Sequence, residues 1–243
     1  MHATARILDL LDQWRHLPDY QLERRADIFF ATYLVDFLAD REGVEVEPFL
    51  VPEFPVHIGT IYPHIPINKS FKIDYVAFAS DRSKAWFVEL KTDSSSRRDK
   101  QNAYLKAAQN AGMPALINGL LQIAAATKAK HKYCCLLRLL ERLLLVELPT
   151  DLDDALASKH WDSAVNACLP AVKNICPPLP VNVLFLQPVS NGPTEIGFDE
   201  LASWLDGRDA VADRFALSLR NWASVKAGQL THIWPDLSRG ARE

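Results

Sequence analysis

Residues 71–93, FKIDYVAFASDRSKAWFVELKTD, decide how this chain reads. Two β-rich runs flank a turn signal at Ser80 to Ser83, so the stretch is a hairpin. Strand alternation sends Lys72, Asp74, Val76 and Phe78 to one side of the first strand and Phe71, Ile73, Tyr75 and Ala77 to the other. In the second strand Phe87, Glu89 and Lys91 share a face, and Trp86, Val88 and Leu90 share the opposite one. Placing Ala79 against Lys84 across the turn sets a register in which paired numbers sum to 163, and Asp74 then lies directly opposite Glu89. Like charges facing each other across strands repel, and a largely apolar sheet adds a desolvation cost. A divalent cation, a shared proton or the Lys91 ammonium would compensate. Hard cations such as Mg²⁺ take one or two carboxylates together with water and phosphate oxygens. The bland alternative is a solvated edge hairpin whose polar face only meets water.

A chain of 243 residues with 49% hydrophobic residues can bury a substantial core. With 27 basic and 30 acidic side chains the net charge is −3, so no global positive field steers it to nucleic acid, and such binding must use local patches. Cys134, Cys135, Cys168 and Cys176 lack CxxC spacing, which points to a reduced cytoplasmic protein with buried thiols rather than a zinc site. The N-terminus, MHATARILDLLDQWRHL, lacks the long apolar core of a signal peptide. The leucine-rich run near residue 140 is broken by Arg138, Glu141 and Arg142, so neither export nor membrane insertion is expected.

Upstream of the hairpin, Ile7, Leu8, Leu11 and Trp14 mark an amphipathic helix over residues 3–16. A second helix over residues 20–40 has Ala26, Phe30, Leu34 and Phe37 inward. Glu23 falls on the same face, either as an acid at the positive end of the helix dipole or as a third carboxylate aimed at the sheet. Residues 44–61 are β-rich, but Pro48, Pro52 and Pro55 restrict them to an edge strand with an irregular continuation. His64, Asn68 and Lys69 lie in the next loop.

Downstream, Ser95 or Ser96 is the expected N-cap of a helix running to Gly112 and Pro114. Its stripe of Arg97, Gln101, Tyr104 and Ala108 either faces the carboxylates or is a solvated face. Residues 113–180 read as a helical insertion. In it HKYCCLLRLLERLLLVEL has Tyr133, Leu136, Leu140 and Leu144 inward, and TDLDDALASKHWDSAVNACL gives one or two short helices capped by Thr150 or Asp151. Lys128, Lys130, His131 and Lys132 form the densest basic cluster, with Arg97, Arg98 and Lys100 before it. These side chains either contact phosphates or complement helix dipoles. The apolar run at residues 181–189 is a buried strand, and residues 198–226 give two amphipathic helices. The expected organisation is one domain over residues 1–243, with its core at about 20–112 and 181–189.

Asp74, fourteen intervening residues, Glu89-Leu90-Lys91, then a helix bearing Gln101 and Tyr104, resembles the PD-(D/E)xK nuclease superfamily. Ile73 stands where the family name has proline. The resemblance implies an α/β, restriction-endonuclease-like αβββαβ core, a mixed sheet flanked by helices. It implies that Asp74, Glu89 and the Leu90 carbonyl bind Mg²⁺ or Mn²⁺, and that Lys91 positions water or stabilises developing charge. Glu23 would be the first-helix acid, and Gln101 would orient Lys91 or substrate. Arg97, Arg98, Lys100 and Tyr104 would contact nucleic acid. The implied activity is metal-dependent hydrolysis of phosphodiester bonds, in DNA, for repair, restriction or defence. A homodimer would suit double-strand cutting, and a partner subunit would supply affinity. The alternative is a catalytically silent member that binds nucleic acid or protein.

Overall fold

A computed structural model describes residues 3–15, 17, 21–65, 69–92 and 99–224. Helices α1 (Ala3–Trp14) and α2 (Leu22–Glu42) lead into strand β1 (Val51–His57) and a single-turn helix, α3 (Ile58–Ile61). Strands β2 (Ser70–Phe78) and β3 (Ala85–Leu90) are the hairpin. Then come α4 (Asp99–Ala126), α5 (Lys130–Arg142), β4 (Val146–Glu147), α6 (Leu152–Ala157), α7 (Trp161–Cys168) and β5 (Lys173–Asn174). Strands β6 (Val181–Gln187) and β7 (Glu195–Gly197) and helices α8 (Phe198–Leu205) and α9 (Ala210–Ser224) complete the order.

The protein is α/β, with a five-stranded mixed sheet ordered β1-β2-β3-β6-β7 and a separate ribbon of β4 and β5. β1, β2 and β3 form an antiparallel meander, and β7 lies parallel to β6. The Ala85 N–H donates to the Pro180 carbonyl at 2.9 Å and the Lys91 N–H to the Leu186 carbonyl at 2.8 Å, so β6 runs parallel to β3. The chain divides into two compact units, one of Leu38–Glu89 and Arg98–Leu184, the other of Met1–Phe37, Leu90–Arg97 and Phe185–Glu243.

In the unit holding the hairpin, the expected register is present. Tyr75 pairs with Val88, Val76 with Phe87, Ala77 with Trp86 and Phe78 with Ala85. The Ala79 N–H closes the turn on the Lys84 carbonyl at 3.0 Å. β1 lies at one end of the strand order, where Pro52 and Pro55 are tolerated because an edge strand has backbone donors it need not satisfy. α4 is two helices joined at Gly112, whose φ of 76° and ψ of 158° break the helical path, and Pro114 restarts it with a φ that suits a first turn. In the second half, Gly119 packs directly on α3. A Cβ there would lie 2.3 Å from Thr60 Oγ1 and 3.1 Å from His57 Cβ. Gly119→Ala is therefore expected to destabilise by about 1–3 kcal/mol through overpacking, read as a lower urea midpoint. An unchanged midpoint would mean that α3 moves aside freely.

Helix α5 corrects one expectation. Its buried positions are Lys130, Cys134, Leu137 and Leu140, so Tyr133 and Leu136 are only half-buried, and Leu144 is 66% exposed. Leu144 lies outside because the helix stops early. Leu144 takes φ 54°, its N–H donates to the Glu141 carbonyl at 2.8 Å, and the Leu145 N–H donates to the Leu140 carbonyl at 2.9 Å. This is a Schellman end with leucine where glycine is favoured. Leu144→Gly should remove about 1 kcal/mol of backbone strain and raise the thermal midpoint. A fall would show that the exposed leucine contributes packing.

In the unit holding both termini, Ala26, Phe30, Leu34 and Phe37 are buried as the spacing of α2 required. Phe30 meets Phe215 edge-on at 5.1 Å between centroids, and Trp222 lies 6.3 Å from Phe30, 6.2 Å from Phe198 and 6.0 Å from Phe215. The Trp222 indole N–H donates to Asp12 at 2.7 Å, and Arg214 donates to Asp9 at 2.6 Å and Asp12 at 2.7 Å, so α1 is tied to α9 by a charged network beside the aromatic rings.

Of the four thiols, Cys134, Cys168 and Cys176 are buried and Cys135 is exposed. Burial pushes the Cys176 thiol up to about 11. Ser95 and Ser96, offered above as N-caps, and Asn68 lie outside the described residues, as do residues 225–226 at the end of the expected last helix. The β4–β5 ribbon and β7 were not expected. Each is three residues or fewer, too short for a periodic signal. No helix among the described residues is long and apolar enough to cross a membrane.

Candidate metal and nuclease centre

The two acids of the hairpin lie toward its open end, away from the turn. The paired residues run from Phe78 and Ala85 to Tyr75 and Val88, and continuing that register by one residue brings Asp74 opposite Glu89 on the adjacent strand. Asp74 is half-buried, whereas Glu89 is only 1% exposed, the most secluded carboxylate among the described residues. Gln101 lies in the first turn of α4 and donates its side-chain amide to Glu89 Oε1. The helical stripe of Gln101, Tyr104 and Ala108 therefore faces the sheet rather than solvent, and Ala108 is fully buried. Tyr104 stacks on Phe71 at 5.3 Å with an interplanar angle of 22°. Phe71 belongs to the opposite face of β2 from Asp74, so the start of α4 meets both sides of the meander at its open end.

The residues from Leu90 to Arg97 belong to the other unit. Lys91 is 5% exposed and its ammonium donates to the Leu90 carbonyl at 2.9 Å. Glu23, in the first turn of α2, accepts a hydrogen bond from the Thr92 N–H at 3.2 Å. Glu23 stands at the positive end of the helix dipole, and its carboxylate fixes the backbone one residue beyond Lys91.

Six polar or charged residues are buried among the described residues: Glu89, Lys91, Lys130, Gln187, Glu195 and Ser218. Four have plain structural tasks. Lys130 donates to the Ala125 and Thr127 carbonyls at the end of α4, Gln187 to the Val189 carbonyl, and Ser218 to Asp12, while Glu195 accepts from the Asn191 N–H. Glu89 and Lys91 differ in kind. They are two charges two positions apart in sequence, Glu89 in a strand otherwise built of Ala85, Trp86, Phe87, Val88 and Leu90, all buried, and Lys91 just after its end. Burying charge costs several kcal/mol unless it is matched, and departures from a consistent apolar pattern concentrate at working sites.

The other sequence candidates are distributed differently. Lys100 is exposed, with its ammonium 5.7 Å from the Tyr104 ring centroid. Arg97 and Arg98 lie outside the described residues. Lys130 caps a helix rather than facing a ligand, which settles that residue in favour of dipole complementation. The aromatic partners of Tyr104, namely Phe71 and Tyr62, were missed, because neither breaks the pattern of its own segment. Among the described residues no three His, Cys, Asp or Glu side chains converge. Asp74 and Glu89 carry oxygens of the hard, anionic kind that a hard cation takes together with waters. The chain matches no family model, no curated protein and no solved structure.

Proposed function

We propose that this protein is a Mg²⁺- or Mn²⁺-dependent nuclease of the PD-(D/E)xK type that hydrolyses phosphodiester bonds in DNA. The observation that carries the reading is the hairpin register, which sets Asp74 across from a deeply buried Glu89 that Gln101 orients. The order α2, β1, β2, β3, α4 and, after the helical stretch, β6 supports it, being the αβββαβ succession of a restriction-endonuclease-like core.

The donor set fits the ion. Asp74 and Glu89 are hard anionic oxygens, the chemistry that Mg²⁺ or Mn²⁺ takes, and the Leu90 carbonyl, which accepts from the Lys91 ammonium, would join them once that ammonium turns away. The bound ion would supply a lowered water pKa and neutralise charge on the scissile phosphate. The chain does the rest. Gln101 holds the Glu89 carboxylate in one orientation, as outer hydrogen bonds hold metal ligands generally. Lys91, two residues after Glu89 in sequence, would position the attacking water and stabilise charge growing on the phosphate. Glu23 keeps the Lys91–Thr92 backbone in place. Arg97, Arg98 and Lys100, just before and at the start of α4, supply local positive charge that the whole chain, at −3, lacks.

The test is incubation of the purified protein with single- and double-stranded DNA and RNA in Mg²⁺, Mn²⁺ or EDTA. Cleavage that needs a metal and disappears in Lys91→Ala, with the fold intact by circular dichroism, is the expected result. No cleavage with either metal, together with no metal-dependent rise in thermal midpoint, would sink the reading.

A further inference from the structure

Beside Glu89 stands a group of side chains with no part in the metal chemistry. Tyr104 lies one helical turn beyond Gln101, on the same face of α4. Its ring stacks on Phe71 and lies 5.9 Å from Tyr62, which in turn lies 6.2 Å from the exposed His64. The Tyr62 hydroxyl donates to the Ala103 carbonyl at 3.4 Å, fixing the loop after α3 against the start of α4, and Lys100 holds its ammonium over the Tyr104 ring. Tyr62, Phe71 and Tyr104 are all only half-buried, unlike the fully buried rings of Phe54, Phe78 and Phe87 in the same unit.

Partly exposed aromatic rings with an exposed lysine over one of them suit one ligand above others. Unpaired bases stack on such rings regardless of sequence, and the lysine, swinging off the ring, meets the adjoining phosphate. A paired duplex offers no free base faces there, because its bases are stacked on one another. We propose that Tyr62, Phe71 and Tyr104, with Lys100, form a stacking platform that holds a single-stranded nucleic acid beside Asp74 and Glu89, so that this site acts on unpaired strands. The proposal rests on the nuclease reading for its purpose but not for its binding, which needs no metal and no cleavage.

The experiment measures binding in EDTA by fluorescence anisotropy, using labelled oligothymidylate, oligouridylate and a DNA duplex of equal length. The wild type should bind a single strand more tightly than the duplex. Tyr104→Leu and Tyr62→Leu should each weaken single-strand binding roughly tenfold, the effect of losing one stacked base, while Tyr104→Phe retains it. The two single-stranded arms say whether the strand is DNA or RNA. Tyr62→Leu, at a loop residue, guards against a folding defect at Tyr104, and thermal midpoints are recorded for all variants. Equal affinity for duplex and single strand, or folded leucine variants that bind within about twofold of wild type, would overturn the platform even if the enzyme cuts DNA. Single-strand binding that depends on the rings, in a protein that never cleaves, would overturn the nuclease reading and leave the platform standing.

Discussion

Glu89→Gln is expected to lower metal-dependent cleavage by about a thousandfold or more, because an active-site cation contributes several kcal/mol to charge stabilisation and each ~1.4 kcal/mol is tenfold in rate. The substitution is nearly isosteric, and Gln101 can still donate to the remaining side-chain oxygen, so the fold should persist. A second measurement separates loss of the ion from loss of the fold. Wild-type protein should gain about 2–3 kcal/mol of stability when the metal is present at a hundred times its dissociation constant, and Glu89→Gln and Asp74→Asn should each lose most of that gain. Calorimetry with and without Mg²⁺ reads it directly. If both variants keep the metal-dependent shift, the ion sits elsewhere and the opposed carboxylates are structural. Gln101→Ala should produce a smaller loss of cleavage, about ten- to a hundredfold, as removal of a residue that orients a ligand does.

The largest effect on stability is expected away from the site, at Trp222. Its indole is 1% exposed, surrounded by Phe30, Phe198 and Phe215, and bonded to Asp12. Truncation to alanine leaves a cavity and strips Asp12 of one donor, which together should cost about 3–5 kcal/mol. Trp222→Phe keeps most of the ring contacts and loses the hydrogen bond, at a cost of about 1–2 kcal/mol. Comparing the two variants by chemical denaturation divides packing from polar contact. A loss below about 1 kcal/mol for Trp222→Ala would mean that α9 is not a stable part of its unit. Because the chain has two compact units, the transition should be followed by more than one probe, so that a local loss is not averaged into a global one.

The hairpin was legible because two short-range rules agreed on it. Alternation assigned the faces, the turn residues fixed the register, and the ladder followed both. The apolar face of α2 was legible for the same reason, since 21 residues of helix give a period that neighbours cannot disguise. What stayed hidden was set by contacts distant in sequence or by very short elements. That α5 ends at Arg142 depends on Leu144 adopting a left-handed conformation that leucine rarely takes, and its buried face, one position on from Tyr133 and Leu136, is set by what packs on it. β7 is fixed by pairing with Phe185 to Gln187 and has little periodicity of its own. Within the site, Asp74, Glu89 and Lys91 stood out as charges in apolar runs, and Gln101 as a polar residue on an inward stripe. Tyr62, in a loop, and Phe71, in a strand, did not, because neither aromatic residue breaks the pattern of its own segment.

The edge strand carries a further consequence, for assembly. A bare sheet edge is a template on which another chain can lay a strand, the usual route to edge-to-edge aggregation. β1 has Pro52 and Pro55 at two of its seven positions, and between them Glu53 takes φ 51°, so it offers no unbroken row of donors and acceptors. A second strand laid along it would leave backbone groups unmatched at each interruption. The meander that holds the two carboxylates is thereby closed to extension on that side, and copies of the protein can crowd together without their sheets joining through β1.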